Sequence, residues 1–200
     1  MDYIQPPILS PVTAECVVAA SNKYLVPPLV ILSILKVESG RVGEVSKNTN
    51  GTVDIGPMQI NSIHLPTLAP YGITFEQLKN NGCLNVSIGA YLIKKAEVDL
   101  SRSAPILTPA NYWKSVGNYH SKTPSNNAKY LSKVVAAANA MPKEWKEFDC
   151  RRYNACAITV GQSGVIQGAE QVKVAVSYQA APQTQQYAMN SVQQLMPYRR

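Results

Sequence analysis

Glu38 closes the stretch Pro27-Pro28-Leu29-Val30-Ile31-Leu32-Ser33-Ile34-Leu35-Lys36-Val37-Glu38-Ser39-Gly40, an almost unbroken apolar run with one carboxylate at its end. Apolar surroundings disfavour the charged form of a carboxylate, and the negative end of a helix dipole repels it. Both effects raise the pKa, and a carboxylic acid that keeps its proton near neutral pH can act as a general acid. By position alone, Glu38 also fits a solvated residue at a helix C-terminus. A second carboxylate, Asp54, opens the segment Asp54-Ile55-Gly56-Pro57-Met58-Gln59-Ile60-Asn61-Ser62. Two roles are open to Asp54: helper to a proton-transfer centre, or loop carboxylate bonding local backbone amides.

These groups need elements to hold them. Pro28 at the start and Gly40 just past the end predict a helix over 28–38, apolar nearly all round and therefore central. A preceding helix is expected near 11–23, with Pro11 in its first turn and Cys16, Val17 and Ala20 facing inward. Residues 41–56 are rich in Asn, Gly, Thr and Ser and predict a loop or short hairpin. Asn50-Gly51 is a tight-turn pair, and 52–55 alternates like a short strand. Thr74 reads as the cap of a short helix. Residues 86–100 carry apolar side chains at helical spacing behind Asn85 as N-cap, and Gly89 marks a close approach of another helix. Helices over 111–119 and 128–140 complete a unit of residues 1–141. Residues 142–200 form a C-terminal extension. In it 157–160 and 171–178 look like strands, and a Gln-rich stretch follows at 182–186. It reads as an appendage or a partner-docking tail.

Composition narrows the class. Two hundred residues with 46% apolar and 16% charged content fill one domain with a proper core. The net charge of +7 favours anionic partners. Lys and Arg are scattered, with no run longer than two, no zinc-finger spacing and no basic helix, which argues against nucleic acid. Four cysteines without a Cys-x-x-Cys, and only two His, favour two disulfides over a metal site, and no cofactor is expected. Oxidised cysteines imply a periplasmic or extracellular home. The start Met1-Asp2-Tyr3-Ile4-Gln5 lacks a secretory signal. Either the signal has been replaced by an initiator Met, or export takes another route. The apolar run at 25–37 is too short to span a bilayer.

Glu38-Ser39-Gly40 followed at this distance by Gly-x-Met-Gln-Ile-Asn resembles the lytic transglycosylases of the lysozyme-like superfamily. Asn50-Gly51-Thr52-Val53-Asp54-Ile55, Asn61-Ser62-Ile63-His64-Leu65 and Tyr119-His120-Ser121-Lys122-Thr123-Pro124 resemble the specialised branch that accompanies secretion, conjugation and pilus machines. The resemblance runs from about Cys16 to Met141. It implies a mainly α, lysozyme-like fold, with a helical bundle around the Glu38 helix and a short hairpin by the cleft. The implied substrate is peptidoglycan, cleaved between N-acetylmuramic acid and N-acetylglucosamine to a 1,6-anhydro product, and the implied partners are components of a secretion or pilus machine.

The resemblance also assigns roles. Glu38 becomes the catalytic acid and base. Asp54 becomes a helper that some members of the branch keep. Ser39 contacts the carboxylate or the sugar. Met58, Gln59 and Asn61 line the cleft floor, although Gln59 and Asn61 also fit loop-stabilising hydrogen bonds. Tyr119 hydrogen-bonds the catalytic Glu, and Tyr130 lines the cleft, unless it is simply core. His120 stands where the broader family has Asn, which leaves its role open between structure and catalysis. Trp113 and His64 read as structural. In the resembled branch, cysteines placed like Cys16 and Cys83 bridge the first helix to a later segment, and Cys150 and Cys156 would then pair locally. Two other functions compete: a water-using lysozyme, and a non-catalytic wall-binding assembly protein that keeps the fold as a scaffold.

Overall fold

The computed structural model describes residues 9–103 and 108–142, together with the backbone of 159–160 and 166–167. Seven α-helices lie among the described residues. They are α1 (Ala14–Tyr24), α2 (Pro28–Glu38), α3 (Leu65–Leu68), α4 (Phe75–Asn80), α5 (Gly82–Ser101), α6 (Pro109–Gly117) and α7 (Pro124–Asn139). Between α2 and α3 runs a small antiparallel sheet in the order β1 (Val45–Lys47), β2 (Val53–Ile55), β3 (Ile60–Asn61). Short 3₁₀ turns at Ser62–His64 and Ala69–Tyr71 flank α3. The fold is mainly helical with a small three-stranded antiparallel sheet between α2 and α3, as the sequence predicts.

Helix α2 begins at Pro28 and ends at Glu38 because both ends are marked chemically. Proline at the first position has the φ a helix needs, and Ser39 takes the left-handed conformation (φ 53°) that stops it. Ile31 and Ile34 are fully buried, so this helix is central. It packs on α7, α1 packs on both α2 and α5, and α6 sits against α5 and α7. The core gathers Val17, Ile31, Ile34, Ile55, Met58, Leu78, Ile93, Val116 and Val134.

Four helices start away from the expected residue; α6 starts at Pro109, not 111, behind the Thr108 cap. Helix α1 starts at Ala14, not Pro11, because the Thr13 hydroxyl accepts the Cys16 N–H and caps it there. Helix α5 starts at Gly82, capped by the Asn81 side chain on the Leu84 N–H. Asn85 is therefore inside the helix and fully buried, not its cap. Helix α7 starts four residues earlier than expected, with Pro124 at its first turn. Gly89 does serve a close approach, but to a side chain: an added Cβ would collide with Met58 Sδ.

Cys16 and Cys83 form a disulfide between α1 and α5, with Cα atoms 5.0 Å apart. Beyond the helices, β4 (Thr159–Val160) pairs antiparallel with β5 (Ile166–Gln167). The expected Cys150–Cys156 pair, the strand at 171–178 and the Gln-rich stretch lie outside the described residues. Among the described residues, no helix is long and apolar enough to cross a membrane.

Candidate active site

Glu38 is the last residue of α2 and is partly buried. Its neighbours come from two elements, α7 and β2. Tyr130 of α7 donates a 2.6 Å hydrogen bond from its hydroxyl to Glu38 Oε1. Asp54 on β2 and Lys133 on α7 act on it through charge. Burial is the largest influence and raises the Glu38 pKa above the usual glutamate value of 4.5. The Tyr130 bond stabilises the charged form and lowers it, the Asp54 carboxylate raises it, and Lys133 lowers it; the balance is a raised pKa. The desolvation foreseen from the apolar run is the dominant cause. With Oε1 accepting from Tyr130, Oε2 is the oxygen left to carry a transferable proton.

The hydroxyl that reaches the acid is not the one expected. Tyr130, only 4% exposed, is the residue that reaches the acid. Tyr119 donates instead to the Met58 carbonyl oxygen at 2.7 Å. Burial first, then the Glu38 and Asp54 carboxylates, raises the Tyr119 phenol well above its usual range. Burial, together with Glu38, also pushes the Tyr130 phenol up, so both hydroxyls keep their protons and remain donors. The His120 ring stacks on Tyr130, with centroids 4.7 Å apart and planes 8° from parallel.

The Asp54–Ser62 segment is built around Asn85. Its side-chain carbonyl accepts the Met58 N–H at 2.8 Å, and its amide donates to the Ile55 and Leu78 carbonyl oxygens at 2.9 and 3.0 Å. Gly56 sits beside this amide at φ +66°, where a side chain would collide with Asn85 and not with Glu38. The close approach to the end of α2 is made by Gly40, whose added Cβ would strike the Gly56 carbonyl oxygen. Asn85, expected only as a cap, is thus the buried polar residue whose partners order this segment.

The other expected residues fall as follows. Ser39 does not touch the carboxylate; its hydroxyl donates to the Lys36 carbonyl oxygen at 2.7 Å and finishes α2. The Met58 side chain is fully buried beneath Gly89, so the core takes it and only its backbone serves the site. Gln59 stands in the left-handed region (φ 48°) and donates to the Gly56 carbonyl oxygen at 2.9 Å. Asn61 faces Asp54 across β2–β3 and donates to Asp54 Oδ1 at 2.7 Å and to Thr52 Oγ1 at 3.1 Å. Asn61 thus holds the second carboxylate in place. Trp113 is core, 7% exposed, and His64 lies half-buried on the 3₁₀ turn, where burial lowers its pKa.

The arrangement is a raised-pKa carboxylic acid fixed by a phenol, beside a second carboxylate held by an amide. It can deliver a proton and take one back. Among the described residues no cluster of three or more His, Cys, Asp or Glu is gathered for a metal.

The chain is similar in sequence to several known proteins. The chain is 29% identical over 111 residues to invasion protein IagB of Salmonella typhimurium, an alignment covering 55% of this chain and 64% of that protein. It is 32% identical over 111 residues to protein IpgF of Shigella flexneri, covering 55% and 67%. It is 30% identical over 125 residues to a peptidoglycan-binding-like protein of Escherichia coli O157:H7, covering 58% and 70%. The chain thus spans about two thirds of the length of these relatives. The transglycosylase SLT domain matches residues 15–134, more than half of the chain and every residue of the site from Glu38 to Tyr130; the chain belongs to that family.

Proposed function

We propose that this protein is a peptidoglycan lytic transglycosylase that opens the cell wall locally for a secretion, conjugation or pilus apparatus. The observation that carries this is Glu38: a partly buried carboxyl with a raised pKa, oriented by Tyr130 at 2.6 Å. Glu38 protonates the oxygen bridging N-acetylmuramic acid and N-acetylglucosamine as the C1–O bond breaks. The C6 hydroxyl of the same muramic residue then attacks C1, and the Glu38 carboxylate takes its proton. One bond breaks, one forms, the acid is restored, and no water is consumed. Asp54 opposes the positive charge that develops at C1 and keeps the Glu38 proton in place.

Family membership supports the wall substrate, as does a relative named for peptidoglycan binding. The relative named as an invasion protein supports service to a larger machine. The Cys16–Cys83 disulfide suits the periplasm. Residues 1–141 would be the catalytic unit, since α7 ends at Asn139 and the family match at 134. Residues 142–200 would dock to the machine.

The test is mass analysis of muropeptides released from purified peptidoglycan. The wild type should release anhydro-muropeptides one water lighter than hydrolysed ones, and Glu38→Gln should release none while remaining folded. Hydrated products would mean a water-using lysozyme with Asp54 positioning the water. Clearing by Glu38→Gln at the wild-type rate would instead leave the fold as a scaffold.

A further inference from the structure

Glu38 is oriented by Tyr130, and the ring of Tyr130 is itself covered. We infer that His120 is a positioning residue: its ring, stacked face to face on Tyr130, fixes the phenol that orients the acid. This rests on the proposed function, in which Glu38 is the acid.

The turn carrying His120 is held from several sides. The Tyr119, His120 and Ser121 N–H groups all donate back to the end of α6, to the Val116 and Gly117 carbonyl oxygens, at 3.1 to 3.2 Å. Buried Asn127 of α7 donates to the Lys114 carbonyl oxygen at 3.0 Å and to Asn118 Oδ1 at 2.9 Å, which locks the turn to the helix that carries Tyr130. The chain thus ties an exposed imidazole in one place, parallel to the tyrosine within 8°. A loose surface histidine has no need of such a frame. A parallel, offset aromatic pair is attractive, so the stack favours this placement of the Tyr130 ring over a tilted one. Tyr130 passes that restraint to Glu38 Oε1 through a 2.6 Å bond, and a misplaced proton donor costs rate more than it costs binding.

A stacking role depends on the flat ring and not on its nitrogens, which sets the test. Three variants, His120→Ala, His120→Phe and His120→Asn, are compared with wild type and Glu38→Gln on soluble glycan strands, with kcat and KM measured separately. His120→Ala and His120→Asn should lower kcat about two- to tenfold, the rate equivalent of one aromatic pair, with KM unchanged. His120→Phe should restore kcat to near the wild-type value. All three should melt within a few degrees of wild type, because the residue is exposed. An unchanged kcat in His120→Ala would overturn the inference and leave the proposed function standing. So would retention of kcat by Asn but not by Phe, or a rise in KM alone, since either would make His120 a direct sugar contact. If the wild type cleaves no glycan, the proposed function falls and the inference falls with it.

Discussion

Burial, with the Asp54 carboxylate, disfavours the charged form of Glu38 more strongly than the Tyr130 bond and Lys133 favour it, so the folded protein holds this proton more tightly than the unfolded chain does. Its folded pKa lies above 4.5, and between the two values the native state binds more protons. Stability therefore falls as pH rises through that window. Below it the acid is neutral in both states and costs the fold nothing. Glutamine keeps the acceptor oxygen for Tyr130 and has no charge to desolvate. Glu38→Gln should accordingly melt higher than wild type at pH 7, with the gain shrinking towards zero at pH 4, as read by calorimetry at both pH values. Equal melting shifts at the two pH values would mean that the carboxyl titrates as in an unfolded chain. The apolar run pointed to a desolvated acid, but by position alone Glu38 also fitted a solvated helix end, and the motif from Gly56 to Asn61 is what singled it out. Its tyrosine was not legible: the resemblance puts Tyr119 and Tyr130 near one cleft, but only the packing of α7 on α2 decides which hydroxyl arrives.

Elements marked by local chemistry could be read to the residue. Helix α2 covers 28–38 as its flanking Pro and Gly predict, although Ser39 and not Gly40 takes the left-handed stop, and Thr74 with Gln77 forms the capping box that starts α4. Helix α5 could not be read that way, because Asn81 and Asn85 are equally good caps by residue type and sit one turn apart. The choice is made by tertiary structure, since the Asp54–Ser62 segment needs an amide at position 85 to satisfy Met58 N–H and the Ile55 and Leu78 carbonyls. The two asparagines should thus behave differently. Asn81→Ala removes a cap and should cost about 1 kcal/mol. Asn85→Ala leaves one donor and two acceptors buried without a partner, each worth about 1–3 kcal/mol, so the loss should exceed ~3 kcal/mol. That is a large part of the roughly 5–15 kcal/mol that holds a domain together. Urea unfolding measures both. Activity should fall with Asn85→Ala even in the cold, because the Met58 carbonyl that anchors Tyr119 moves with the loop. Similar costs for the two variants would return Asn85 to the role of a simple cap.

Across the whole molecule, the Cys16–Cys83 bridge closes a loop of sequence separation 67 that contains α2, the sheet and the Asp54–Ser62 segment. Tyr119, His120 and Tyr130 lie outside that loop, so the site is assembled from a cross-linked half and a half held only by packing and hydrogen bonds. Composition indicated oxidised cysteines, but only the fold determines that α1 and α5 pack side by side with their Cα atoms 5.0 Å apart. A cross-link of this span limits the unfolded chain, and the chain-entropy model gives about 4 kcal/mol for it. Its energy therefore acts on unfolding and not on the Glu38–Tyr130 geometry. The double variant Cys16→Ser with Cys83→Ser should lower the melting temperature by on the order of 10 °C, whereas kcat measured well below that temperature should stay within about twofold of wild type. A large drop in kcat with little change in melting would reverse that assignment, because the bridge would then be shaping the cleft rather than restraining the unfolded chain.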